Sequence, residues 1–193
     1  MRLIFTICAF FCCVGLASAQ TEQGGFYIGA SSNINFSSMK TELKSDYGDQ
    51  DGSRTTEFEF APQLGYFAGD GLLVGLEIPY SKRKNDDADY QMSQIGIGPF
   101  ARYYFGTSNS KPYLHAGVGI GAATENNGSG EVDYKLSSYE IAGGIALFIN
   151  KNIAVDLGLG YSSGTMKPRE DNDADVKLVT SGVAFKVGFS LFL

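Results

Sequence analysis

The chain has 193 residues, with 21 Asp and Glu against 15 Lys and Arg for a net charge of −6, one histidine, three cysteines and no tryptophan. A balance this acidic excludes a nucleic-acid binder on electrostatic grounds, and no apolar run reaches the roughly 20 residues of a membrane helix. The mean hydropathy of −0.06 leaves a β-barrel open, because alternating lipid-facing and lumen-facing residues average to nothing in any window.

Arg2, the apolar run Leu3 to Leu16, and Ala17-Ser18-Ala19 before Gln20 have the layout of a secretory signal peptide, so residues 1–19 are expected to be cleaved between Ala19 and Gln20. Cys8, Cys12 and Cys13 all lie inside that segment, which leaves residues 20–193 without a thiol, a disulfide or a cysteine-held metal. Ala9-Phe10-Phe11 ahead of Cys12 lacks the small residues that usually precede a lipid-anchored cysteine. Residues 20–193 keep every acid and every base except Arg2 and read as a single domain.

Eight segments of that domain alternate with period two. They run from Phe26 to Phe36, Thr56 to Phe67, Leu72 to Ser81, Tyr90 to Phe105, Pro112 to Thr124, Tyr134 to Phe148, Ile153 to Ser162, and up to Leu193. One face of each is apolar, as in Ile153, Val155, Leu157, Leu159 and Tyr161. The other carries Gly, Tyr, Ser and scattered charges, as in Asp156, Gly158 and Gly160. No charge interrupts the middle of an apolar face, where Arg or Lys facing lipid costs about 2–4 kcal/mol. A soluble barrel would crowd its outer face with Lys, Glu and Thr. The predicted fold is therefore all-β, an eight-stranded antiparallel up-and-down transmembrane barrel.

Connections after the second, fourth and sixth segments are short: Ala68 to Gly71, Gly106 to Lys111, and Ile149 to Asn152. Those after the first, third, fifth and seventh are longer and polar: Ser37 to Thr55, Lys82 to Asp89, Glu125 to Asp133, and Ser163 to Asp175. Short periplasmic turns and longer extracellular loops are the rule for such barrels, which puts both ends of the domain in the periplasm. Phe36, Phe58, Tyr80, Tyr139 and Tyr161 are placed for an aromatic girdle near the long loops, and Phe26, Tyr66, Tyr103 and Phe105 for one near the short turns. Phe58 to Ser81 also lies over Tyr139 to Ser162 at a constant offset, matching Glu59 with Glu140 and Tyr80-Ser81 with Tyr161-Ser162. Gly98 to Phe105 lies less closely over Gly182 to Phe189, pairing Arg102 with Lys186. Duplication and equivalent selection at equivalent positions both account for these matches.

The final octapeptide Lys186-Val187-Gly188-Phe189-Ser190-Leu191-Phe192-Leu193 resembles the C-terminal signal through which outer-membrane barrels present their last strand for assembly. Gly98-Pro99-Phe100-Ala101-Arg102-Tyr103-Tyr104-Phe105 and Phe148-Ile149-Asn150-Lys151-Asn152-Ile153-Ala154-Val155 extend the likeness across the domain. The chain resembles small eight-stranded outer-membrane barrels of the OmpX and OmpA-barrel type, and the porin-family or outer membrane protein β-barrel domain proteins common in Bacteroidetes. The resemblance implies residence in the bacterial outer membrane, contact with its lipid and lipopolysaccharide, insertion by the barrel assembly machinery, and a monomer. It describes architecture and names no activity.

The inward face holds Glu57, Glu59, Glu77, Glu140 and Asp156 against Arg102, Lys186 and His115. Unpaired charge inside a barrel is costly, so Arg102 and Lys186 are the expected hubs for Glu59, Glu77, Glu140 and Asp156. Large inward residues Tyr27, Phe67, Phe100, Tyr104, Tyr113 and Phe148 gather toward the short turns, and Gly117, Gly119, Gly121, Gly158 and Gly160 lie further out. This predicts a lower lumen blocked by aromatic rings beneath a wetter cavity open to the outside. His115 points inward about 10 Å from the short-turn end, away from the outer leaflet where barrel enzymes that modify lipid A use a His and a Ser. No catalytic residue, metal or cofactor is expected. Asp46, Asp49 and Asp51, like Asp171, Asp173 and Asp175, lack the spacing of a calcium loop and read as solvated loop acids. The function expected is a structural or surface-interaction role through the outer loops, without a large open pore. A narrow channel for small solutes, a lipid A-modifying enzyme and a soluble lipocalin-like barrel are the alternative classes.

Overall fold

The computed structural model describes residues 21–34, 43–45, 48–50, 55–85, 90–128, 130–169 and 177–193. The expected signal peptide with its Ala19-Gln20 junction, and Phe36, Asp46, Asp51, Asp171, Asp173 and Asp175, lie outside them. For Asp49 and Glu57 only the backbone is described.

The described residues form, in chain order, β1 (Phe26–Ile34), β2 (Leu43–Ser45), β3 (Gly48–Gln50), β4 (Thr55–Gly69), β5 (Leu72–Glu77), β6 (Tyr80–Asn85), β7 (Tyr90–Tyr104), β8 (Ser110–Asn126), β9 (Glu131–Phe148), β10 (Ile153–Pro168) and β11 (Leu178–Phe192). All but β2 and β3 belong to one antiparallel sheet in the order β1-β11-β10-β9-β8-β7-β5-β4, with β6 beside β4 and β7, and β1 pairs with both β4 and β11. The sheet is thereby closed into a ring. Tyr27 lies opposite Phe192 and Ile34 opposite Phe185 on one side, and Phe26 opposite Tyr66 on the other. Closure removes the free edges that lipid cannot hydrogen-bond.

β5 and β6 are two halves of one stave. Both pair with β4 on one side and β7 on the other, so the ring has the eight staves expected. The break falls at Ile78-Pro79, where the expected third strand was continuous. Proline has no N–H to give to a ladder, and the local bonds become Ile78 N–H to Pro62 O at 2.9 Å and Gly96 N–H to Pro79 O at 2.9 Å. β2 and β3 form a small hairpin, Leu43 opposite Gln50, within what reads as the first long loop.

Strand continues into three of the expected long loops. β6 runs to Asn85, β8 to Asn126, β9 begins at Glu131 and β10 reaches Pro168. The apolar row ends earlier, but the backbone ladder continues because each stave has an equally long neighbour to bond. Period-two reading of side chains marks the lipid-facing part of a strand and not its end.

Burial is inverted relative to a soluble protein. Leu64, Val118, Ile120, Ile141, Val183, Phe185 and Phe189 are exposed on the outer face, whereas Arg102, Lys111, His115 and Asp156 are buried. Phe26, Tyr66, Tyr103 and Phe105 at one end, and Phe58, Tyr80, Tyr139 and Tyr161 at the other, are all exposed, as aromatic girdles require. The internal correspondence holds in register: Leu64 faces Leu76 as Ile145 faces Leu157, and Glu59 faces Ser81 as Glu140 faces Ser162.

Candidate functional site

Among the described residues, the lumen is where the fold gathers polar side chains away from solvent, Gln63, Arg102, His115, Asp156 and Ser190 among them. At its short-turn end Tyr27, Phe67, Leu73, Phe100, Tyr104, Tyr113 and Phe192 form a buried cluster, with Phe148 packed against it. Phe192 is its centre, with ring centroids 4.9 Å from Phe148, 5.6 Å from Tyr27, 5.9 Å from Tyr104 and 6.0 Å from Phe67. The rings fit because glycine lies beneath them. A Cβ on Gly75 would stand 2.8 Å from the Phe100 ring, and one on Gly158 2.7 Å from the Tyr113 hydroxyl. Inward glycines are thus the recesses that accept rings from other staves in a barrel too narrow for both.

Above this plug sits a charged layer built on Arg102 of β7. Its Nη1 donates to Asp156 Oδ2 at 2.8 Å and to the hydroxyls of Tyr27 and Tyr104 at 3.1 Å each. Its Nη2 donates to Gln63 Oε1 at 3.3 Å, and its Nε to His115 Nδ1 at 3.4 Å. The guanidinium carbon lies 4.7 Å from the Tyr113 ring centre, within cation–π range. Ser190 Oγ donates to Asp156 Oδ2 at 2.6 Å. Nearer the loop end Lys186 pairs with Glu140, and Glu77 Oε2 accepts from Gln63 Nε2 at 3.0 Å.

The structure thus brings Arg102 to Asp156 and Lys186 to Glu140, and gives Glu77 an amide partner in place of either base. Glu59 lies part-buried on β4, where its backbone carbonyl accepts from Ser32 Oγ at 2.7 Å. Gln63, Ser190, Phe192 and the hydroxyls of Tyr27 and Tyr104 belong to the interior and had no assigned role in the sequence reading. Strand parity already turned them inward, but parity says nothing of which inward residues meet across the lumen.

His115 is buried and stacked on Phe100, with centroids 5.2 Å apart. Because Nδ1 accepts from Arg102, the network assigns the proton to Nε2, which lies 3.6 Å from Glu140 Oε1. The residual cavity among Gln63, Arg102, His115, Glu140, Asp156 and Lys186 is about 10 Å³, room for one water at most. Below the plug an open recess of about 510 Å³ is lined by Thr21, Glu22, Asp70, Tyr104, Lys111 and Lys151. Lys111 donates there to Thr21 Oγ1 at 2.8 Å and lies over the Phe148 ring.

One expectation needs correction. The outer part of the interior is not simply glycine-lined and wet: Met92, Ala123 and Met166 form a second buried apolar cluster, with Tyr90, Tyr134 and Leu136 against it. Long strands carry inward side chains beyond the lipid, and on β7 to β10 these are large enough to meet.

An apolar lipid-facing exterior between two aromatic girdles, a closed antiparallel sheet and a charged, ring-plugged interior define an integral outer-membrane β-barrel. The family model described as "Outer membrane protein beta-barrel domain" matches residues 4–190, and the chain belongs to that family, whose members reside in the bacterial outer membrane. No curated protein matches the chain by sequence. Among solved structures, Neisserial surface protein A is similar over 88% of this chain and 99% of its own, with 22% identity and a TM-score of 0.54. The attachment invasion locus protein Ail of Yersinia pestis covers 89% and 99% with 15% identity and a TM-score of 0.49. The β-barrel domain of OprF from Pseudomonas aeruginosa covers 89% and 98% with 17% identity and a TM-score of 0.49. The likeness to Neisserial surface protein A is one of fold.

Proposed function

We propose that this protein is a non-catalytic, non-conducting barrel that holds its loop end outward as a structural or surface-interaction platform. The carrying observation is the doubly closed lumen. Four rings, those of Tyr27, Phe67, Tyr104 and Phe148, pack around Phe192, and the Arg102–Asp156 layer above them leaves space for no more than a water. A hydrated solute would have to displace buried charges from their partners. The one histidine has a ring nitrogen tied to a guanidinium and lies inside this closed layer, a position that offers no access to a lipid acyl chain. The short turns face the periplasm, and β11, paired with β1 along Tyr27 to Ile34, is the strand through which the assembly machinery inserts a monomer. The test is electrical. Mature protein in planar bilayers is expected to give no stable openings, and a steady conductance would replace this proposal with the narrow-channel reading.

A further inference from the structure

We infer that Asn127, at the tip of the turn between β8 and β9, is a site of spontaneous covalent modification, in which the Gly128 nitrogen cyclises onto the Asn127 side chain and the carboxamide becomes a carboxylate. The reaction needs these two residues and water alone. It goes beyond the platform reading, because it does not depend on what the loop end meets. Asn127-Gly128 is the one Asn-Gly pair in the chain, and every other asparagine is followed by a residue with a side chain. Ring closure requires the next nitrogen to fold back over the asparagine, and a Cβ on that residue obstructs the approach. Gly128 has none and sits at φ 76°, where residues with side chains rarely go.

Placement in the fold singles out the same pair. The β8–β9 ladder ends where Asn126 faces Glu131, so Asn127 and Gly128 stand outside it, and both are exposed. The Gly128 N–H donates to the exposed Asn126 side chain, at Oδ1 and 3.0 Å, a bond for which water competes. Other asparagines are held. Asn33 lies within β1 opposite Lys186, Asn150 Oδ1 accepts from the N–H groups of Asn152 and Ile153 at 2.8 and 2.9 Å, and Asn152 Nδ2 donates to Phe192 O at 2.6 Å. Asp70-Gly71 is an instructive contrast. Its glycine has the same φ of 76°, yet the Gly71 N–H donates to Thr21 O at 2.7 Å and Asp70 Oδ1 accepts from the Gln23 N–H at 3.0 Å, which keeps nucleophile and carboxyl apart.

The steps balance without an oxidant or reductant. A bond forms from the Gly128 nitrogen to Cγ of Asn127, the bond from Cγ to Nδ2 breaks, and the proton lost by the Gly128 nitrogen leaves with Nδ2 as ammonia. Water then opens the five-membered imide at either carbonyl. One opening gives an aspartate at position 127, and the other an isoaspartate whose main chain runs through the former side chain. Either product adds a negative charge to a tip already flanked by Glu125, Glu131 and Asp133. The second also lengthens the backbone by one carbon inside the turn that the Asn127 N–H closes on Gly130 O at 3.3 Å. The exposed end of the barrel thus changes charge and shape with age.

Mature protein refolded in a neutral detergent, with folding checked by heat-modifiable migration, would be held for several weeks at neutral and at mildly alkaline pH, then digested and read by peptide mass spectrometry. The peptide carrying Asn127 is expected to gain about one mass unit and to contain both aspartate and isoaspartate. The gain should be faster at the higher pH, because the attacking group is the deprotonated amide. N127Q should lose it, since the ring would need a sixth atom, and G128A should slow it. Isoaspartate at Asp70-Gly71 should appear only after unfolding in urea. Absence of the gain in the folded native protein would overturn the inference, and so would an equal gain at Asn150 or Asn152. A gain that survives in N127Q would belong to Asn126 and overturn it too, as would an undiminished rate in G128A. If G128A does not fold, the native protein and N127Q make the decision.

Discussion

Replacing Arg102 with methionine tests the interior most directly. The guanidinium is buried, as is Asp156 at 2.8 Å, and it also donates to Tyr27, Tyr104, Gln63 and His115. Without it Asp156 keeps Ser190 as a donor, and its charge stays in a space too small for bulk water. Removing one partner of a buried ion pair costs about 3–5 kcal/mol, because the survivor is left uncompensated. R102M is therefore expected to lose that much, whereas R102M/D156L, which removes both charges, should lose distinctly less than the sum of R102M and D156L. The chain has no tryptophan, so unfolding in urea would be followed by circular dichroism and by the fraction that keeps heat-modifiable migration. A loss below about 1 kcal/mol in R102M, or strict additivity in the double variant, would refute the pair.

Phe192→Ala removes the centre of the ring cluster, and a buried Phe→Ala change costs about 3–5 kcal/mol; the same urea titration would measure it, and planar bilayers would show whether brief openings appear once the plug is hollowed. Leu159→Arg puts a cation on the exposed apolar face of β10 and should destabilise the barrel in lipid vesicles by about 2–4 kcal/mol, while Val179→Arg, beyond the girdle on β11, should be close to neutral. Equal effects at the two sites would mean that the apolar band is misplaced along the strands.

Much of the architecture was legible because a barrel strand writes its environment into every second residue. Rows such as Ile153, Val155, Leu157, Leu159 and Tyr161 face one medium, and Tyr27, Gln63, Arg102, Asp156 and Ser190 face the other, so parity alone separated lipid from lumen and counted the staves. The break at Ile78-Pro79 was not read from the pattern, which ran Leu72 to Ser81 as one strand, and proline alone does not mark it, because Pro62, Pro99 and Pro112 lie inside unbroken strands. Pattern was blind past the girdles, where the outer face is no longer apolar and the ladder of β8, β9 and β10 nevertheless continues.

What only the tertiary structure decided is partnership. Arg102 on β7 meets Asp156 on β10, and Lys186 on β11 meets Glu140 on β9, although four acids competed for two bases in the linear reading. The choice depends on the stagger between staves, which sets the height of each inward residue, and stagger is a property of ring closure rather than of any one strand. Phe192 shows the same limit. Its parity turned it inward, but its place at the centre of the plug exists only because β1 and β11 close the ring beside Tyr27. Alternation, being local, determined which face each residue occupies; contact across the lumen, being a consequence of closure, did not exist until the last strand met the first.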